Sequence, residues 1–383
     1  MIRVNEKLIM MVVPFWMDLG TSIFYLAAPL VVIELGGNPV ELGLIGTITA
    51  SVHMVLANLV GRLSDRLGRR VLIVTGPLIF GTSCVLMTQT GEVKGVLALA
   101  ALNGISLAIF WPPFQAWIAD LQAGAHLARN IGSFNMSWTA SHLIGPTLSG
   151  FLFGLHPRLP FLVAAVLSFL LFFLMRASVN DRSPQPEKGR EPFPLEGEES
   201  DGRRNFLYAI WVANFASWFI LGNVRFQFPK LARELAIGSH MIGLLISCIG
   251  LSQFLGFFLL RGSDGWHFKK SYLLGAQLIA ASALLLIFSF SKQLIFASAF
   301  LMIGLCSSLT YYSSLYYAVR LLKKKGKGTG LHESILGSGV VLGPILGGVV
   351  AHSAGLRAPY LLSLAILVGA VATELGLTKR RSI

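Results

Sequence analysis

Long apolar stretches alternate with short polar segments along the 383 residues of this chain. Each stretch has roughly the 20 residues that an α-helix needs to cross the hydrocarbon core of a bilayer. We therefore expect an all-α membrane protein with twelve spanning helices. The predicted helices fall near 8–34, 39–60, 71–90, 95–119, 130–154, 158–176, 205–229, 237–260, 271–290, 293–319, 330–352 and 357–378.

One long polar segment, 177–204, separates the sixth apolar stretch from the seventh. It is rich in Pro, Gly and Glu, a composition typical of a flexible linker. The chain is thus predicted to form an N-terminal six-helix bundle (1–176), this linker, and a C-terminal six-helix bundle (205–383).

The two halves also correspond in sequence at an offset near 200. Pro29 pairs with Pro229 and Gly43 with Gly243, while the Gly-Pro dipeptide at 145–146 pairs with the one at 343–344. Six helices in each half give both copies the same orientation. Parallel repeats of this kind place the substrate between the halves, near the bilayer midplane.

Composition and charge agree with this assignment. The chain is 54% hydrophobic and 13% charged, a balance that excludes an ordinary soluble domain. A net charge of +13 raises the possibility of nucleic-acid binding, but 24 of the 31 Lys and Arg residues fall in segments on one side of the predicted membrane. The positive-inside rule then places both termini in the cytoplasm, with a prokaryotic inner (plasma) membrane as the expected location. Nucleic acid is not needed to explain the charge.

A basic segment, GRLSDRLGRR (61–70), follows the second apolar stretch and is expected to form a tight loop. Its spacing resembles the signature of the major facilitator superfamily, and the resemblance extends over essentially the full chain. The matching residues are Gly61, Asp65, Arg66, Gly68, Arg69 and Arg70. The resemblance implies that Asp65 engages the start of helix 11 and joins Arg69 and Asp120 in a charge cluster that closes the cytoplasmic side. Alternatively, these charges only hold the hairpin at the membrane surface.

Two further motifs resemble the antiporter-associated motif of that family. One lies on the fifth stretch, with Ser141 and Ser149 where the motif has glycine; the other lies on the eleventh. The matching residues are Gly132, Ser141, Gly145, Pro146, Ser149 and Gly150, and then Gly330, Gly339, Gly343, Pro344, Gly347 and Gly348. Small residues spaced by four make a ridge against which another helix packs closely, and the prolines permit a bend. The residues of the two motifs form either a hinge for the rocking motion or an ordinary packing seam, and we expect them to lie away from the substrate.

Ionisable residues inside predicted spans are the first candidates for a binding site. Asp18, Ser22 and Tyr25 share one face of helix 1, and Trp218 and Arg225 share the corresponding face of helix 7. Asp18 is predicted to carry a proton or bind a cationic group, while Arg225 pairs with it or binds an anionic group. The alternatives are that Asp18 is a solvated or structural acid and that Arg225 extends to the membrane surface.

Other polar and aromatic residues of the spans complete the predicted cavity, although each alone could equally be a packing residue. These are His53, Trp111, Gln115, Asn135, Trp138, His142, Gln253 and Tyr311. An aromatic and mostly apolar cavity with a few polar anchors suits an amphiphilic solute better than a sugar or phosphate. His332, Glu333 and Glu374 are expected near the cytoplasmic mouth, as gate or interface residues.

The sequence thus predicts a secondary active transporter of a small amphiphilic solute, working by rocker-switch alternating access and resembling the drug/proton antiporters. Proton-coupled export is the favoured reaction. Uptake or exchange of an organic anion, lipid or lysolipid translocation, and a non-transporting membrane sensor are the alternatives. The chain has no phosphate-binding Gly-Lys-Ser/Thr loop, which argues against ATP-driven pumping. We expect no enzymatic activity, no metal and no cofactor, with the lipid bilayer and the solute as partners of a monomer.

Overall fold

Twelve helices form the described part of the chain, which comprises residues 6–121, 127–178, 201–263, 265–322 and 325–379 of a computed structural model. The helices are α1 (Glu6–Glu34), α2 (Pro39–Leu67), α3 (Arg69–Met87), α4 (Val93–Leu121), α5 (Leu127–Leu155), α6 (Leu159–Ser178), α7 (Asp201–Glu234), α8 (Ser239–Leu260), α9 (Lys270–Ser289), α10 (Gln293–Leu321), α11 (Lys325–Ala354) and α12 (Ala358–Lys379). The predicted all-α fold with twelve helices is therefore confirmed.

Two helix boundaries differ from the prediction. The basic loop was expected from residue 61, but α2 continues to Leu67 because the six residues before Gly68 contain neither proline nor glycine. The linker was expected to extend to residue 204, but α7 begins at Asp201, where an acidic residue suits the positive end of the helix dipole. The rest of the predicted linker, 179–200, lies outside the described residues.

Successive helices cross the bundle in opposite directions, so their connections fall at two ends. The turns after the odd-numbered helices are all short, and we call this side the short-turn end; the opposite side, which contains the 61–70 segment, is the basic end. The first turn shows how the sequence specifies such a connection: Asn38 accepts hydrogen bonds from the amides of Val40 and Glu41, and the Glu41 carboxylate accepts one from the Asn38 amide. Pro39 occupies the first helical position, where no amide donor is needed.

Eleven of the described helices are long and apolar enough to cross a membrane. The exception is α5, which carries Asn135, His142 and six Ser or Thr residues. On the outside of the bundle large apolar side chains are exposed, for example Leu278 (70%) and Phe173 (64%). An outward-facing apolar surface of this kind is stable against lipid and unstable in water.

The two sequence halves meet through reciprocal backbone contacts. A Cβ atom built on Gly43 of α2 would lie 2.2 Å from the carbonyl oxygen of Pro344 on α11. A Cβ atom built on Gly243 of α8 would lie 2.2 Å from the carbonyl oxygen of Pro146 on α5. Because Gly43 corresponds to Gly243 and Pro146 to Pro344, the sequence repeat reappears as a pseudo-symmetric pair of contacts. Only glycine permits helices to approach this closely.

Polar contacts join the halves at the short-turn end. Arg233 of α7 lies 3.6 Å from the carboxylate of Glu34 on α1. The Lys230 ammonium donates to the carbonyl of Gly37 at 3.5 Å. Gln227 Nε2 donates to the carbonyl of Pro39 at 3.1 Å. Several bonds between α7 and the α1–α2 turn therefore hold this end of the bundle closed.

Candidate functional site

A cavity between the two halves contains several of the residues that the sequence pattern selected. It encloses about 400 Å³ of empty space, counted to its open mouth, and draws on α1, α5, α7 and α8. We call it the central cavity. It is lined by Ser22, Tyr25, Leu26, His142, Pro146, Arg225, Ile246, Ile249 and Gly250.

Arg225 points across the interface instead of extending to the membrane surface. It lies nine residues before the end of α7, and its Nη2 donates to Nδ1 of His142 on α5 at 3.1 Å. Since guanidinium nitrogens only donate, His142 accepts at Nδ1, so its remaining proton is on Nε2. The guanidinium also lies over the indole of Trp218, 6.0 Å from the ring centroid. The structure thus favours a cavity position for Arg225 over the surface alternative.

Asp18 belongs to the same group of charges. It is 9% exposed and lies one helical turn before Ser22 on α1. Its carboxyl group acts electrostatically on Arg225 and on Tyr311 of α10. Interactions between charges are stronger in a buried site than in water, so Asp18 and Arg225 influence each other across the central cavity. The predicted pairing of an acid on helix 1 with a base on helix 7 stays a prediction, because no hydrogen bond or ion pair among the described residues joins Asp18 to Arg225.

Aromatic rings continue the site toward the basic end. Trp138 of α5 lies 5.5 Å from Tyr311, which in turn lies 5.8 Å from Trp218, measured between ring centroids. Asn135 fixes the first indole by accepting a hydrogen bond from Trp138 Nε1 at 3.2 Å. Trp218 Nε1 is buried and has no hydrogen-bond partner within the described ranges. The three rings, which we call the aromatic wall, are each 6% exposed, and two of them pack against His142 and Arg225 of the cavity lining.

A second acid joins the halves on the basic side of the aromatic wall. Gln115 Nε2 of α4 donates to the Glu333 carboxylate of α11 at 3.5 Å. Glu333 also acts electrostatically on Tyr311, so it is part of the same polar group. The sequence analysis predicted Glu333 near the cytoplasmic mouth and did not include it among the binding residues. Its position inside an apolar span was the feature that could have indicated a place nearer the binding residues.

Of the thirteen predicted binding residues, Ser22, Tyr25, His142 and Arg225 line the central cavity. The other nine do not, among them Gln253, Trp111 and His53. Gln253 is fully buried and donates to Ser307 Oγ at 2.9 Å, between α8 and α10 of one half. Trp111 packs against Phe134 on the neighbouring α5, with ring centroids 6.4 Å apart. His53 is half-buried on α2 and is not among the residues lining the central cavity. The predicted shared cavity position of His53 and Gln253 is therefore not seen in the lining of the central cavity.

Most small residues of the two motifs pack against α1 or α7 of their own half, whereas Gly150 approaches Ser239 and Gly348 approaches Pro39 of the other half. A Cβ on Gly145 would lie 1.8 Å from Ser22 Oγ of α1. On α11, Gly339 and Gly343 approach the backbone of α7, and Gly347 approaches Asn223 of the same helix. This geometry favours close packing over a hinge. The expectation that both motifs lie away from substrate stays a prediction, although Pro146 lines the central cavity.

The basic 61–70 segment makes a one-residue turn between α2 and α3. Gly68 has φ +87° and ψ 135°, a conformation that only glycine adopts readily, and its amide donates to the Ser64 carbonyl at 3.1 Å. Arg70 Nη2 donates to the carbonyl of Arg176 at the end of α6, 2.9 Å away. The side chains of Asp65, Arg66 and Asp120 lie outside the described residues, so the expected cluster with Arg69 stays a prediction. Gly61, by contrast, has no neighbouring atom within 4 Å of a built Cβ.

Comparisons with known proteins agree with this architecture. Residues 10–221 and 210–381 each match the sequence profile of the Major Facilitator Superfamily. The chain is 24% identical over 349 residues to Multidrug resistance protein 1 of Bacillus subtilis, covering 87% of this chain and 86% of the relative. It is 27% identical over 176 residues to Quinolone resistance protein NorA of Staphylococcus aureus, covering 46% of this chain and 45% of NorA.

Solved structures show the same fold at low sequence identity. A bacterial homolog of the human lysosomal transporter Spinster, in an inward-facing and unoccupied conformation, superposes with a TM-score of 0.74 and 16% identity, over 97% of this chain and 96% of that chain. The human organic anion transporter MFSD10 superposes with a TM-score of 0.66 and 17% identity, over 97% of this chain and all of that chain.

Proposed function

Because the chain belongs to the Major Facilitator Superfamily and is a secondary transporter, we propose that it exports small amphiphilic cations in exchange for protons. The observation that carries this proposal is the buried carboxyl group of Asp18, one helical turn from Ser22, which lines the cavity between the two halves. An acid in this position can hold either a proton or the positive charge of a solute. Competition between the two for one carboxyl group gives antiport when the protein changes state only with one of them bound.

The aromatic wall supports an amphiphilic cation as the solute. Trp138 packs against His142 and Trp218 against Arg225, two residues that line the central cavity, and Tyr311 lies between the two indoles. Aromatic faces attract organic cations and also bind apolar groups, so such a wall accepts many related shapes. The similarity to a multidrug resistance protein of Bacillus subtilis over most of the chain points in the same direction.

Alternating access requires the short-turn end to open and close. In this structure Gln227, Lys230 and Arg233 of α7 bond to the α1–α2 region and close that end. We infer that a proton or a cation on Asp18 changes the balance between this arrangement and one that opens there. A ligand shifts such an equilibrium only through its different affinity for the two states, and Asp18 lies between the halves that move.

We propose that the basic end faces the cytoplasm, in agreement with the positive-inside rule, and that the protein resides in a bacterial inner membrane. Similarity to transporters of Bacillus subtilis and Staphylococcus aureus supports this membrane. In this orientation the present structure is closed toward the outside. We take a monomer with no catalytic activity as the working form, since one chain contributes both halves of the cavity.

The proposal is tested with purified protein in liposomes that carry an imposed pH gradient. A panel of lipophilic cations and organic anions is offered, and Asp18→Asn is compared with the wild type and with Glu92→Gln, which removes an exposed acid at the short-turn end. We expect proton-driven cation movement to fall at least tenfold in Asp18→Asn and to persist in Glu92→Gln. Unchanged coupling in Asp18→Asn would refute the role of this residue.

Exchange of an organic anion is the second candidate, favoured by the Arg225 guanidinium bonded to His142 in the cavity. Transport of anions only, dependent on Arg225 and indifferent to Asp18, would establish it. Movement of labelled lysolipid between leaflets in the same liposomes would instead indicate lipid translocation. Solute binding without any flux would indicate a sensor.

A further inference from the structure

Another buried acid, Glu374, lies inside the C-terminal half and is not part of the central cavity. It is 2% exposed on α12, and its Oε1 accepts a hydrogen bond of 2.6 Å from Nε2 of Gln277 on α9. Its Oε2 has no hydrogen-bond partner within the described ranges. Burial of an ionised carboxylate without a cationic partner is costly, so the packing shown suits the neutral acid.

Polar groups of α7 and α10 lie beside this acid. Glu374 acts electrostatically on the thiol of Cys306, which lies 3.8 Å from Ser217 Oγ. Thr310 donates to the same Ser217 oxygen at 3.0 Å. Asn214, one turn away on α7, is fully buried with neither its Oδ1 nor its Nδ2 bonded within the described ranges. Buried amides without partners are rare and mark places where water binds.

A crevice leads from the basic end toward these groups. Its empty space, counted out to the open solvent at its mouth, is about 190 Å³, and its lining includes Lys269, Tyr272, Leu273, Ile210 and Leu309. One helical turn deeper on the same α9, α7 and α10 lie Gln277, Asn214 and Cys306. The crevice therefore points along three helices toward the polar groups around Glu374.

Few charges face Glu374 from the helices that pack against it. On α9, the Lys270 ammonium donates to the carbonyl of Thr378 at 2.7 Å, one turn nearer the basic end. From α10 the titratable neighbour is Cys306, and α7 contributes the neutral Asn214 and Ser217. No charged side chain of α7, α10 or α11 in the described ranges bonds to the carboxyl group.

We propose that Glu374 is a proton-binding site of the C-terminal half, separate from Asp18 and reached by water from the basic end through this crevice. Loss of the proton leaves a buried carboxylate, which α9 and α12 accommodate only by admitting water or moving apart. Occupancy by a proton thus biases the packing of these two helices. Proton binding at Glu374 does not depend on the proposed export, whereas any role in coupling rests on it.

Infrared difference spectra between low and high pH test the site directly, on the full-length protein in lipid vesicles. We expect a carboxylic C=O band in the wild type at low pH that is absent in Glu374→Gln and retained in Asp18→Asn and Glu92→Gln. Gln277→Leu should move this band, because the hydrogen bond to the carboxyl oxygen is lost. Identical spectra for the wild type and Glu374→Gln would overturn the proposal. An unmoved band in Gln277→Leu would also overturn it, and this second variant provides the test if Glu374→Gln does not fold.

Exchange of the Glu374 proton for deuterium tests whether water reaches this residue through the crevice. Leu309→Trp fills the crevice without touching Glu374, and we expect it to slow deuteration of the Glu374 band about tenfold. An unchanged exchange rate would contradict access through the crevice. In the flux assay, Glu374→Gln is expected to reduce the pH dependence of export at least threefold. If the band is present but no solute moves with protons, the proposed function fails while this site stands.

Discussion

Replacement of Gly43 by alanine should prevent the short-turn end from closing. The added Cβ would lie 2.2 Å from the Pro344 carbonyl oxygen and 2.8 Å from its carbon. Both are backbone atoms, so no side chain can rotate away. Moving from 2.2 Å to an ordinary contact of 3.4 Å requires α2 and α11 to separate by about 1.2 Å. Overpacking of this kind costs roughly 1–3 kcal/mol, which disfavours the closed arrangement about five- to 150-fold.

Cross-linking across that end measures the effect. In a background with Cys84, Cys248 and Cys306 replaced by serine, Glu34→Cys and Arg233→Cys are introduced, since their native side chains lie 3.6 Å apart. We expect Gly43→Ala to lower the yield of cross-linked protein several-fold and to slow transport at least tenfold.

A matched control distinguishes this mechanism from general destabilisation. Gly369→Ala places the same methyl group on α12 where no atom lies within 4 Å, and it should leave both cross-linking and transport unchanged. Gly243→Ala, which meets the Pro146 carbonyl at the same 2.2 Å, should behave like Gly43→Ala. Wild-type cross-linking and transport in Gly43→Ala would refute the inference that the halves touch there through their backbones.

Two further predictions concern the site and the fold. Arg225→Gln removes a positive charge beside the proposed cation site, so affinity for lipophilic cations in a binding titration should rise about tenfold; a loss of cation binding would contradict the assignment. Gly68→Ala forces a side chain into φ +87°, so the midpoint of thermal unfolding should fall, with a cost of about 1–3 kcal/mol. Gly376→Ala, which meets no atom within 4 Å, is the control, and equal stability of the two variants would show that the turn does not require glycine.

Much of the site could be predicted because a polar residue inside an apolar span has few stable positions. Asp18, Ser22 and Tyr25 share one helix face, and that face could point only toward other protein or a cavity. The same reasoning found Arg225 and His142, which the structure places 3.1 Å apart. It failed for Gln253, because burial against Ser307 within one half satisfies an amide as well as a cavity does.

The polar group in the C-terminal half was harder to predict. Glu374 was expected near the cytoplasmic mouth as a gate or interface residue, but its partner Gln277 lies 97 positions away on another helix. Nothing in local periodicity relates these two side chains. Pairings of this kind depend on how far each helix is rotated and how deeply it sits, and those quantities follow from the packing of all neighbours together.

By itself the sequence determined the number of helices, their approximate ends and the repeat of the two halves. In lipid, an apolar segment of about 20 residues is stable as an α-helix, because the helix satisfies the hydrogen bonds of its own backbone. The tertiary structure alone decided which faces meet: the contact of Gly43 with Pro344, the bond of Arg225 to His142, and the closure of the short-turn end. Those contacts depend on helix rotation and separation, which steric fit between distant segments sets to within an ångström.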